Sequence, residues 1–169
     1  MIKQIPEMKN RMIKGCVVDC GGACGDCTRT GEPLDLKGTL YFATGEIDAS
    51  EIEAADRIYV IVSDGIDEDT EEAFAAIREK FGDKAYCFAA GEYPLDKSRL
   101  FSRMAELKDE ENIFVRPIAC AGFEGLRHVV NSGTCPAPDD NSAIYVWALN
   151  GEEPSSEEFL TYYEMGKRS

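Results

Sequence analysis

The chain is short of several things, and each shortage closes off a class of function. It has no apolar run approaching the roughly 18–20 residues of a membrane span, so direct insertion into a bilayer is not expected. Residues 1–7, Met-Ile-Lys-Gln-Ile-Pro-Glu, hold charge and a proline but no apolar core, so a secretory leader is not expected there. Basic residues are outnumbered, with 18 Lys and Arg against 32 Asp and Glu and a net charge of −14. A field of that sign repels phosphate backbones and excludes nucleic acid as the expected partner. It favours solubility, and it favours docking onto a basic protein surface. There is a single histidine, His128, beside the apolar side of an expected helix, and it is left out of the candidate site. Neither G-x-G-x-x-G nor a Gly-Lys-Ser/Thr P-loop is present, so nothing marks a nucleotide site. Internal repeats and low-complexity tracts are also missing.

What remains is an ordinary globular composition, 44% hydrophobic and 30% charged over 169 residues. That length suits one α/β domain over 1–169 with its own core and no need of disulfides. Six short runs rich in Val, Ile, Tyr and Phe are expected as strands: 12–19, 39–44, 57–63, 84–90, 112–118 and 143–149. Near-continuous apolar runs such as Ile58-Tyr59-Val60-Ile61-Val62 suit strands covered on both faces, as in a parallel sheet. Helical spacing falls between them, over 70–81, 97–107 and 123–130. A last helix is expected to open at Ser155, with Glu158 three residues on as a capping box. The alternation predicts an α/β fold with right-handed crossovers, as a mostly parallel, flavodoxin-like three-layer sheet of five to six strands.

Cysteine is the abundant exception. The chain has seven, in a sequence expected to be cytoplasmic, where thiols stay reduced and serve metal or redox chemistry. Cys16, Cys20, Cys24 and Cys27 fall within one short stretch that also holds Gly15, Gly21, Gly22 and Gly25. Cys16 lies inside an expected strand, as does Cys87, and both suit small core residues. The spacing Cys20-x3-Cys24-x2-Cys27 offers three thiolates from one loop, 20–36. Gly21, Gly22 and Gly25 let that loop fold tightly and leave backbone N–H groups to donate to cluster sulfurs. A fourth thiolate completes a cubane: Cys135 first, then Cys120, then Cys16. Ligands in open α/β sheets gather at the carboxyl ends of the strands, so convergence is expected there. The candidate ligand set is Cys20, Cys24, Cys27 and Cys135, for a 4Fe–4S cluster. Zinc is the alternative, since four thiolates also make a closed tetrahedral site. A small thiol-based sulfur-transfer or redox enzyme is a third possibility. The x3/x2 triplet also resembles that of radical-SAM enzymes.

Three stretches together resemble the small electron-transfer subunit of NiFe hydrogenases, similar in turn to the cluster-bearing subunit of respiratory complex I. Cys24-Gly25-Asp26-Cys27 resembles the close cysteine pair after the first strand. Residues 55–62, the acidic helix that follows and Lys84-Ala85-Tyr86 resemble the middle βαβ unit. Gly133-Thr134-Cys135-Pro136-Ala137-Pro138 resembles the late Gly-Cys-Pro-Pro ligand, with Thr134 extra. Where the family places its third ligand, this chain has Gly91-Glu92-Tyr93, so Cys87 or Cys120 would substitute. The resemblance implies an iron–sulfur electron-transfer subunit of a larger redox complex, with a partner subunit doing the chemistry. The reading from another class is a non-catalytic interaction or regulatory domain with a structural zinc.

Overall fold

A computed structural model of the chain describes residues 2–14, 34, 36–46, 49–63, 68–90, 97–132, 135–148, 157 and 159–161. The elements run β1 (Ile2–Gln4), α1 (Pro6–Lys14), β2 (Thr39–Thr44), β3 (Arg57–Val62), α2 (Glu68–Phe81), β4 (Ala85–Ala89), α3 (Lys97–Glu111), α4 (Ala121–Ser132) and β5 (Ser142–Ala148). Short 3-10 turns at Ala49–Glu51, Gly82–Lys84 and Pro117–Cys120 join them. The strands form one sheet in the order β1-β2-β5-β3-β4. All neighbours are parallel except β1, which runs antiparallel to β2 at one edge. No helix among the described residues is long and apolar enough to cross a membrane.

Side chains alternate across each strand, so the sheet has two buried faces. One face presents Leu40, Phe42, Tyr59, Ile61, Ile144 and Val146 to α1, α3 and α4. The other presents Val60, Val62, Tyr145 and Trp147 to α2 and to the turn before Ile52. This is a three-layer α/β arrangement. The chain steps in one direction from β2 through β3 to β4, with its connections on the second face. It then steps back from β4 to β5, with α3 and α4 on the first face. Reversing direction and face together keeps one crossover hand.

Four of the expected strands are present within a residue or two of their expected ends, as β2, β3, β4 and β5. Two expectations are corrected. Residues 12–14 close helix α1 rather than opening a strand, and the remainder of 12–19 lies outside the described residues. Residues 112–118 form no strand. Asn112 takes φ 54° and stops α3, with its N–H donating to Lys108 O at 2.9 Å. Asparagine tolerates the left-handed region and so can end a helix this way. Arg116 is then extended ahead of Pro117, and the chain turns into the 3-10 segment.

Helix α1 shows how distant sequence completes a local element. Pro6 occupies its first position, where a missing N–H costs nothing. The residue before it is Ile5, which has no side-chain acceptor. The cap comes from the far end of α3: Glu111 Oε1 accepts from Glu7 N at 2.8 Å and Met8 N at 3.0 Å. Lys3 Nζ donates to the Glu111 carbonyl at 2.9 Å, so β1 is tied to the same point. Helix α4 lies unusually close to the sheet. A Cβ on Gly122 would sit 2.5 Å from Val146 Cγ1 and 3.1 Å from Ile61 O, and one on Gly125 would sit 2.9 Å from Ile61 Cγ2.

Two substitutions test these devices by urea unfolding. Glu111→Ala leaves two helix N–H groups without their acceptor and should cost about 1–3 kcal/mol. Glu111→Gln keeps an acceptor oxygen and should lose less; equal losses would refute the cap. Gly122→Ala gains about 1 kcal/mol of helix propensity. It meets both a buried valine and a strand carbonyl, so overpacking of about 1–3 kcal/mol should leave it less stable than the parent.

Candidate functional site

Of the candidate ligands, Cys20, Cys24 and Cys27 lie outside the described residues, as do Cys16 and the glycines Gly21, Gly22 and Gly25. Their segment is bracketed by described residues that meet: Leu34 N donates to Met12 O at 3.0 Å. Leu34 and Leu36, the far end of the expected loop 20–36, are buried in the core rather than exposed. From Leu36 the chain reaches Gly38 and enters β2. Gly38 has φ 96°, and a Cβ there would lie 2.6 Å from Ser142 O and 3.0 Å from Asp139 O. Only glycine lets the strand leading into β2 press this closely on the strand leading into β5.

Cys135 heads that second segment. Its surroundings are at the amino ends of the parallel strands, not the carboxyl ends. Tyr59 donates its phenol to Pro136 O, and Arg57 Nη1, on the first residue of β3, donates to Ala137 O at 3.0 Å. Arg57 also pairs with Asp139 at 3.7 Å. Asp139 Oδ1 accepts from Asn141 N and Ser142 Oγ, both at 3.0 Å, which holds the turn into β5. Cys135 is half-buried. Burial raises its thiol pKa, and the Arg57 guanidinium pulls it back down.

Cys120 is elsewhere. It ends the 3-10 turn that runs into α4, at the carboxyl end of β3. Ser63, the residue after β3, donates through Oγ to Ala119 O at 2.7 Å and accepts from Gly122 N at 2.9 Å. Cys120 is wholly buried. Burial drives its thiol pKa far up, Arg103 opposes that, and Glu106 and Glu124 add to it. Those three charges form a buried network: Arg103 Nε reaches Glu124 Oε1 at 3.2 Å, and Arg103 Nη1 reaches Glu106 Oε2 at 3.1 Å. Arg103 has no exposed surface. A buried network of this kind ties α3 to α4, and removing one partner strands the others in the core. The sequence reading missed it. Its signal was a charge at 103 and another at 106 inside the apolar stripe Leu100, Met104, Leu107.

Cys87 sits in the middle of β4 opposite Val60, half-buried and packed against the second-face core rather than inside it. Burial pushes its thiol up to about 11, with Arg78 acting the other way. The three described cysteines therefore occupy the amino edge, the carboxyl edge and an outer strand. No group of three or more His, Cys, Asp or Glu among the described residues could hold a metal ion. The expected convergence of Cys120 and Cys135 on one carboxyl edge is corrected: parallel strands carry them to opposite ends. His128 lies half-buried in α4, and Trp147 is core, its Nε1 donating to Gly45 O at 2.7 Å.

No protein-family model matches the chain. One curated protein, a probable D-serine dehydratase of Halalkalibacterium halodurans, is 27% identical over 84 residues. That stretch covers 46% of this chain and 19% of the dehydratase, so the chain spans about a fifth of that relative's length.

The described thiols should separate by reactivity. Alkylation needs the thiolate, so a raised pKa slows it at neutral pH and a rising pH restores it. In the folded, metal-free protein Cys135 should label before Cys87, and Cys120 should label only on unfolding, as followed by peptide mass spectrometry. Labelling of Cys87 should accelerate as pH climbs toward about 11. Native labelling of Cys120 ahead of Cys135 would contradict the burial described above.

Proposed function

We propose that this chain binds an iron–sulfur cluster through Cys20, Cys24, Cys27 and Cys135, and serves as an electron-transfer subunit of a larger redox complex. One observation carries the choice of fourth ligand. The chain returning from the cysteine-rich segment and the chain leading away from Cys135 enter neighbouring strands side by side, with Gly38 pressed against the carbonyls of Asp139 and Ser142. Cys120 does not fit a ligand's role: it is sealed in the core, where burial drives its thiol pKa up more than the neighbouring Arg103 lowers it. Cys135 fits better, being half-exposed; burial raises its thiol pKa and the Arg57 guanidinium opposes that. The amino edge of β2 and β5 is thus the proposed position, rather than the carboxyl edge.

The iron–sulfur assignment rests on the x3/x2 thiol spacing, on the glycines between, and on the resemblance to the hydrogenase and complex I subunits. When bound, such a cluster supplies one-electron transfer. This chain's part is to hold it with four thiolates and to insulate it with the apolar core behind Leu34 and Leu36. The three-layer, mostly parallel α/β sheet is proposed as the scaffold of that role. The reducing cytoplasm suits the free thiols, and the net charge of −14 suits a partner with a basic docking face.

Anaerobic purification followed by iron, zinc and sulfide analysis tests this. Roughly four iron and four sulfide per chain are expected. Cys135→Ser should lose most of that content and Cys120→Ser should keep it. About one zinc without sulfide would replace the reading with a structural zinc domain. A folded, colourless, metal-free protein would sink both.

A further inference from the structure

The two edges of the sheet are treated differently. At one edge, β1 has three residues, and Lys3 and Gln4 are exposed on it. A short charged strand discourages further pairing. At the other edge lies β4, Ala85-Tyr86-Cys87-Phe88-Ala89, hydrogen-bonded only to β3 among the described strands. It contains no charge, no proline and no glycine. Its five residues stay in unbroken register with β3 from Ala85 opposite Ile58 to Ala89 opposite Val62. The first four of them are only half-buried. Nothing in the strand blunts its outer row of N–H and C=O groups, which meets no other described strand.

The order of residues in β4 says what would pair with it. Read in either direction, the strand is alanine, aromatic, cysteine, aromatic, alanine. An antiparallel pair centred on Cys87 sets Ala85 opposite Ala89 of the second copy, Tyr86 opposite its Phe88, and Cys87 opposite its Cys87. Two-fold pairing demands this self-complementarity, because each residue meets the counterpart of its own partner. Aromatic residues directly opposite each other stabilise a sheet pair, and this register makes two such pairs. They would extend a stack already present, since Tyr86 lies against Tyr59 with ring centroids 5.1 Å apart. Tyr86 and Phe88 share the face of α3 and α4, and Cys87 faces α2. Each cross-strand pair thus stays on one face. The strand itself is uncharged, so the pairing sets no like charges opposite each other within it.

We infer that β4 pairs antiparallel with β4 of a second copy, joining two five-stranded sheets into one continuous sheet about a two-fold axis at Cys87. This rests on β4 alone and not on the cluster reading. Sedimentation velocity on the full chain over a wide concentration range should show a dimer. Phe88→Lys, which sets a charge into both aromatic pairs, should weaken dimerisation at least tenfold. Because that variant also touches the core, amide exchange on the unsubstituted chain gives an independent reading. Amides in 85–89 should gain protection as the dimer forms, while those of β1 should not. A monomer at all concentrations would overturn the inference. So would a dimer in which the 85–89 amides gain no protection, or one that a folded Phe88→Lys variant leaves unchanged.

Discussion

β5 is the last described strand in the chain and the central one in the sheet, hydrogen-bonded to β2 on one side and β3 on the other. All seven of its residues are buried. Until it inserts, β2 and β3 have no common neighbour, and their facing backbone groups have no sheet partner. Buried backbone groups must be paired, so the sheet closes as a unit only when its most distant segment arrives. The segment before β5 is built for that arrival. Asp139 and Ser142 hold the turn, Arg57 and Tyr59 of β3 grip the carbonyls of 136 and 137, and Asp56 N donates to Asn141 O at 3.1 Å. Long-range parallel pairing of this kind is slow to nucleate, because the loop must close before any bond forms.

The same insertion explains which parts of the fold were legible in the sequence. Strands buried on both faces announce themselves as apolar runs, and β3 and β5 did so. Their order was not legible, because the runs are alike and nothing local says which pairs with which. The flavodoxin-like order would leave β3, β4 and β5 consecutive; here β5 separates β2 from β3. Residues 112–118 misled for a sharper reason. Ile113 and Val115 are buried while Phe114 and Ile118 are exposed, an alternation that is locally strand-like. Among the described strands none pairs with it, and its aromatic residue packs instead on Phe159, with centroids 4.9 Å apart. Helix α1 was missed because its cap lies on Glu111, so no capping residue precedes Pro6 in the sequence. Its apolar spacing, Ile5, Met8 and Met12, was the signal available.

Of the candidate site, the sequence made the thiols visible and not their placement. Residue type and spacing survive in one dimension, so Cys20, Cys24 and Cys27 could be grouped by eye. Cys120 and Cys135 could not be separated that way. Both sit beside expected strands, and only the topology assigns one to each end of the sheet. Burial then divides them chemically. One thiol shares the core with Arg103, Glu106 and Glu124, and the other shares a half-open edge with Arg57.

The carboxyl end of β3 is where an open α/β sheet would ordinarily present a ligand site, and here that position is filled by the protein itself. The 3-10 turn and the first turn of α4 lie across it. Ser63 supplies what a bound group would otherwise take: it donates to Ala119 O and satisfies Gly122 N. Gly122 then lets the helix settle closer to Val146 and the Ile61 carbonyl than any side chain would permit. A helix start whose N–H is already satisfied from the strand below, and whose approach leaves no room for a methyl group, has no space for a ligand. Packing at that end holds α4 in place and buries Cys120. Of the described thiols, the half-buried Cys135 lies at the opposite end of the sheet, where Gly38 brings the chain entering β2 against Asp139 and Ser142.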